Sequence, residues 1–184
     1  MKAKRSLLVL SSLFFGAMLI AGATQAGAQT NTPRLEFLMG WHADFTPTID
    51  IGQLTTGHRE IYTISGGTFS GPKLRGKILP GPVDWFLTTP DGVGHMDVRA
   101  TLQTDDGANI LLHYQGVHVN TPTSGAKFSK GEVIDYGDSY WISALFFETG
   151  DPRYAWLNNI VAVGQARLDP KSGWIEQRDY QVLD

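Results

Sequence analysis

Four short stretches set carboxylates, an arginine and an amide among aromatic rings: Asp84-Trp85, Asp97-Val98-Arg99, Glu148-Thr149-Gly150-Asp151 and Tyr154-Ala155-Trp156-Leu157-Asn158. Side chains two apart on a strand share a face, so Asp97 and Arg99 point the same way. If that face lines an enclosed interior, an arginine flanked by carboxylates stands beside indoles. Such a lumen suits a polar, aromatic ligand, with a carboxylate available as general base. On this reading Asp97 and Glu148 are the candidate acid and base, and Arg99 neutralises a phenolate, enolate or carboxylate. Trp85 and Trp156 form stacking walls, and Asp84 and Asn158 orient the others. The plainer alternative is a structural ion-pair network or a solvated strand face. The direction of Met96–Gln103 decides between them: Asp97 and Arg99 inward gives a polar lumen, whereas Val98, Ala100 and Leu102 inward gives a filled apolar core.

Other chemistries find little support. His42, His58, His95, His113 and His118 are scattered, without an H-x-H or HExxH pair, so no metal is expected. There is no cysteine for thiolate chemistry and no G-x-S-x-G elbow to expose a serine. The glycines between Gly66 and Gly81 do not form G-x-x-x-x-G-K-[ST], and no helix follows them to receive a phosphate, so no nucleotide cofactor is expected.

The elements that must hold these residues are mostly extended. Strand candidates run over Leu35–Phe45, Arg59–Ser65, Lys73–Leu79, Asp84–Thr88, Met96–Thr104, Asn109–Val119, Tyr140–Phe147, Trp156–Arg167 and Trp174–Val182. Asp91-Gly92, Asp105-Asp106-Gly107 and Asp169-Pro170-Lys171-Ser172-Gly173 supply residues that tolerate the positive φ of tight hairpins. The 19-residue stretch Asn120–Asp138 reads as irregular, either a binding loop or a surface excursion. About nine strands in one domain must close or stack to hide their edges. The fold class is therefore all-β, a single-domain antiparallel β-barrel, with a β-sandwich as the alternative.

Lys2, Lys4 and Arg5 precede the apolar run Leu7–Ile20, and Ala26-Gly27-Ala28 offers a small-x-small cleavage site. That is the layout of a signal peptide over residues 1–28, leaving the domain 29–184 in the periplasm or secreted, with no stable membrane insertion after cleavage. Losing those three basic residues takes Lys plus Arg from 15 to 12 against 18 Asp plus Glu, a formal charge of −6. An acidic chain without a basic patch argues against nucleic acid as a partner and leaves a small organic molecule. Homo-oligomerisation is left open.

These motifs together resemble the DUF3237 family, also filed as UPF0311. The matching pieces are Gly66-Gly67, Gly71-Pro72-Lys73-Leu74-Arg75-Gly76, Leu79-Pro80-Gly81, Asp84-Trp85, Asp97-Val98-Arg99, Thr104-Asp105-Asp106-Gly107-Ala108, Phe147-Glu148-Thr149-Gly150-Asp151 and Arg153-Tyr154-Ala155-Trp156-Leu157-Asn158. The resemblance implies a compact, mostly antiparallel β-barrel. Some fungal relatives lie among genes for aromatic polyketides, which implies isomerase, cyclase or lyase chemistry without a cofactor; a non-catalytic binding or carrier module is the alternative. The chain departs from the family pattern at Pro80-Gly81-Pro82-Val83, at Ala100 where an aromatic is usual, and at Ile142–Leu145, which lacks a basic residue.

Overall fold

The computed structural model describes Thr32–Asp184; the expected leader lies outside the described residues. Ten strands follow in order: β1 (Arg34–Phe45), β2 (Ile49–Leu54), β3 (Gly57–Ser70), β4 (Arg75–Ile78), β5 (Val83–Thr88), β6 (Val93–Thr104), β7 (Asn109–Val119), β8 (Tyr140–Glu148), β9 (Ala162–Asp169) and β10 (Trp174–Leu183). Each named ladder is antiparallel, and β1 pairs with β10 on one side and β3 on the other, which closes the sheet into a barrel. The fourteen-residue β3 makes the closure: its C-terminal half pairs with β1 and β4, its N-terminal half with β2 and β5.

β4 and β5 share one position in the wall, because both pair with β3 and β6. The break between them is Pro80-Gly81-Pro82. Proline cannot donate to a ladder, and Gly81 takes a φ of 110° that other residues resist. Close approach at the closure has the same logic. A Cβ at Gly67 would fall onto the His42 carbonyl oxygen and within 2.9 Å of the Ala43 Cα, and one at Gly76 would fall onto the Gln103 carbonyl.

The structure corrects three expectations. β2 adds a strand that its short mixed sequence did not signal. The stretch expected to be irregular contains α1 (Pro122–Lys130), capped by Thr121, whose hydroxyl accepts from the Ser124 N–H while Ser124 reciprocates, and ended by Gly131 at φ 66°. The strand expected from Trp156 starts only at Ala162, because Ala155–Asn159 winds into a 3-10 helix.

Alternation assigns the two faces of the wall. On β6, Met96, Val98, Ala100 and Leu102 are buried, while Asp97 and Arg99 point outward. Leu102, Ile110, Leu145 and Leu157 are fully buried in the core they join. Burying such side chains contributes roughly 1.5–3 kcal/mol each, whereas an ion pair turned inward would face a desolvation penalty of several kcal/mol per ion. The apolar face therefore goes in.

Gly67→Ala is expected to lower unfolding free energy by about 3 kcal/mol, since backbone rather than a mobile side chain blocks the added methyl. Gly125→Ala, in α1 with open space around it, should instead gain about 1 kcal/mol of helix propensity. Urea unfolding of both variants checks the contrast.

Candidate functional site

The β5–β6 ladder is interrupted. Pairing holds at Val83↔Arg99 and Asp84↔Val98 and resumes at Leu87↔His95 and Thr88↔Gly94, but lapses between Trp85-Phe86 and Met96-Asp97. Side chains take over the freed backbone groups. The Asp97 N–H donates to Asp84 Oδ1 at 3.0 Å, and Arg59 Nη1 donates to the Trp85 carbonyl. The wall thus has a seam closed by a carboxylate and a guanidinium.

Outside the seam lies a groove of about 550 Å³, walled by Trp85, Leu87, Arg59 and Tyr140, with His95, Asp97 and Gln115 among its polar groups. Asp97 accepts from Arg99 Nη1 at 2.9 Å, and His113 Nε2 stands 3.5 Å from the same oxygen without hydrogen-bond geometry. The Arg99 guanidinium lies 5.8 Å from the Trp85 ring centre. All these groups are on the outer face, so the expected lumen built on Asp97 and Arg99 is replaced by an external groove. The pair itself is half exposed and contributes little to stability.

Asp84 is on the other side of the wall. It pairs across strands with buried Val98 and with Tyr62, sharing their inward face. Burial pushes its carboxyl up to about 7; the Asp97 N–H lowers it, the Asp97 charge raises it, and Arg59 lowers it. It alone of the expected site carboxylates meets the groove wall from the interior.

Glu148, Trp156 and Asn158 do not join this cluster. Glu148 pairs with Leu111 while Asp97 pairs with Gln115, four residues apart on β7, or about 13 Å along the strand. Asn158 accepts from the Thr149 N–H at 2.8 Å and donates to the Thr149 carbonyl at 2.9 Å, tying the 3-10 helix to the end of β8. Trp156 packs against the core beneath Lys73, whose Nζ is 5.5 Å from its ring centre.

The interior holds polar groups absent from the sequence expectation. Asp179 is fully buried. Burial pushes its carboxyl up to about 7, and the Gln177 amide, donating to Oδ1 at 2.7 Å, and the nearby Trp41 indole offset this only in part. Asp179 Oδ2 and Trp41 Nε1 face one another without full hydrogen-bond geometry, and His118 Nε2 is buried without a hydrogen-bond partner among the described residues. Burial keeps His118 low, and its ring stacks on Trp141 at 4.4 Å. Tyr114 is held well above the usual phenol range by burial, then by the charges of Asp84 and Asp179. Among the described residues no His, Asp and Glu group converges as a metal site.

The two raised carboxyls set a sign for pH. Each moves from 3.8 to about 7 on folding, so the folded chain retains protons that the unfolded chain has lost. Their stabilisation is complete below about pH 3.8 and is lost as pH rises through about 7. Asp138 and Asp151, held low by Lys127 and Arg153 hydrogen bonds, work in the opposite sense and only in more acid solution. These two carboxyls should lower the thermal midpoint as pH rises from about 4 to about 7, and Asp179→Asn should flatten that fall. An unchanged slope in the variant would show that Asp179 does not titrate there.

Comparison with known proteins places these features in a family. The profile of the family "Protein of unknown function (DUF3237)" matches residues 33–182. The UPF0311 protein RPA1785 of Rhodopseudomonas palustris is 32% identical over 128 residues, covering 66% of this chain and 84% of that one. Its crystal structure superposes with a TM-score of 0.76, covering 84% of this chain and all of that one. A β-barrel like protein of Acinetobacter baumannii AYE gives a TM-score of 0.69 at 32% identity, covering 83% and 97%. The hydroalkoxylation enzyme phnH of Penicillium herquei is 29% identical over 143 residues, 77% of this chain and 79% of that one. With the family profile spanning residues 33–182, the chain belongs to the DUF3237 family.

Proposed function

We propose that the chain binds a small hydroxylated aromatic molecule in the groove over the β5–β6 seam and isomerises it by proton transfer, with Asp97, the carboxylate that lines the groove, as general acid/base and Asp84 bracing its backbone from the interior. The observation that carries this reading is the groove itself: Asp97, held by Arg99 at 2.9 Å, stands beside Trp85 over an interrupted stretch of wall whose free N–H is taken by Asp84.

The groove supplies the remaining roles. Trp85 and Tyr140 offer faces for an aromatic ring. Arg59, which lines the groove, places positive charge where a hydroxyl would become a phenolate or enolate. In the reaction the hydroxyl O–H bond breaks and its proton goes to the Asp97 carboxylate. The oxygen pair then forms a C–O bond or a carbonyl, and the displaced electron pair on carbon takes the proton back. Nothing is oxidised or reduced, and the carboxylate ends as it began. The hydroalkoxylation named for the Penicillium relative is chemistry of this class. We further propose that residues 1–28 serve as a leader, which would make the periplasm or the exterior the place of action.

The test mixes the chain with phenols, aromatic acids and cyclic enones and follows proton NMR. New product peaks are expected. Asp97→Asn should lower turnover by about 10²–10⁴-fold, while Trp85→Ala weakens binding by up to about tenfold. Full turnover by Asp97→Asn would overturn the assignment. Line broadening without product would make the protein a carrier.

A further inference from the structure

The outer face of β1 carries a row of cations and hydroxyls away from the seam. Met39, Trp41 and Ala43 are buried, so Gly40 and His42 face outward. Register then fixes their neighbours. Gly40 lies between Ser70 on β3 and Arg178 on β10, and His42 lies between Thr68 and Glu176. One strand further, Ser70 meets Arg75 and Thr68 meets Lys77 on β4. Directly opposed side chains stand roughly 5 Å apart, so one patch runs across β10, β1, β3 and β4.

Its charges do not cancel. Glu176 is already taken: its Oε2 accepts from Arg167 Nε at 2.8 Å and Nη2 at 2.6 Å, and its Oε1 faces His42 Nδ1 at 3.2 Å. Asp44 stands 3.6 Å from the other His42 nitrogen, and Glu36 stands 3.6 Å from Lys73. Among the described residues, Arg178, Arg75 and Lys77 are left without a carboxylate at ion-pair distance, and the Thr68 and Ser70 hydroxyls without a hydrogen bond. The patch is therefore locally positive on an acidic chain.

Over this row lies a groove of about 340 Å³, lined among others by Phe37, Gly40, Thr68, Ser70, Tyr136 and Arg178. Packing does not demand the glycine in its floor. A Cβ at Gly40 would make only ordinary contacts, 3.7 Å from the Gln177 carbonyl oxygen and 3.9 Å from the Phe37 ring. What the glycine leaves is an open strip between a hydroxyl and a guanidinium. Tyr136 comes from the stretch between β7 and β8, for which the seam has no use. Its turn is pinned: Asp138 Oδ2 accepts from the Asp135 N–H at 2.7 Å and Lys127 Nζ at 2.6 Å, and Asp135 Oδ1 accepts from the Tyr136 N–H at 2.8 Å. The phenol ring centre is thereby held 4.3 Å from the Arg178 guanidinium. A guanidinium stacked on a ring keeps its donor edge open for a planar anion.

We propose that this groove is a second ligand site, built for a small aromatic carboxylate. Arg178 takes the carboxylate through paired N–H donors, and the Ser70 and Thr68 hydroxyls donate to it from across Gly40. Phe37, 42% exposed although apolar, and Tyr136 face the ring. Arg75 and Lys77 draw the anion towards the groove. The site shares no lining residue with the groove over the seam and does not depend on the function proposed for that groove.

The experiment titrates the full chain with benzoate and follows its backbone amides by NMR. Saturable shifts are expected at Gly40, Ser70 and Arg178, weakening as salt is raised. Benzyl alcohol keeps the ring without the charge and acetate the charge without the ring, so both should bind more weakly than benzoate. Arg178→Gln should weaken benzoate by at least about tenfold, and Gly40→Leu, which fills the floor, should do the same. Arg178 is exposed on the outer face, so its variant decides the matter if Gly40→Leu does not fold. Shifts confined to the Trp85 groove, no saturable shifts at all, or unchanged affinity in Arg178→Gln would each overturn the site. Equal affinity for acetate and benzoate would overturn the aromatic class of ligand.

Discussion

Closure of the wall through β3 is the constraint on which everything else rests. One strand must satisfy β1, β2, β4 and β5 along its length, and it does so only because the backbones at Gly67 and Gly76 can touch their neighbours. Without that contact the sheet would keep two open edges, and the inner face would not be sealed. The interior environment that shifts Asp84 and Asp179 is thus a product of glycine geometry elsewhere in the chain.

Sealing the barrel sorts the carboxylates. Those on the outside, such as Asp97, Asp106 and Asp151, find arginines. Those inside have amides, phenols and a backbone N–H, which satisfy some of their hydrogen-bonding capacity without matching their charge. Desolvation then wins, and the acid form persists to about pH 7 at both Asp84 and Asp179. Position on a strand, more than residue type, decides which acids keep their protons towards neutral pH.

Much of this is legible in the residues, and the remainder fails for identifiable reasons. The antiparallel barrel and most strands follow from turn chemistry and spacing, and the family from its resemblance in motif. Asp84 meets the seam from inside and Trp85 from outside. The sequence left the face of Met96–Gln103 open, and the burial of Val98, Ala100 and Leu102 turns Asp97 and Arg99 outward. Asp179 was missed because both faces of Trp174–Val182 carry polar residues, so no alternation distinguishes in from out. Glu148 and Asn158 look paired in sequence with the tryptophans, yet the 3-10 helix at Ala155–Asn159 uses Asn158 as a tether. The helix over Pro122–Lys130 was overlooked although Thr121, Pro122 and Gly131 are its caps.

The Pro80-Gly81-Pro82 break gives the chain a division of labour. One wall position is made by two independent segments: Arg75–Ile78 fastens the ring, and Val83–Thr88 carries the indole and the poised acid. A continuous strand would transmit any shift at one end to the other. Here the corner acts as an expansion joint, so the half that bears the indole can settle at its own angle while the half that fastens the ring stays locked.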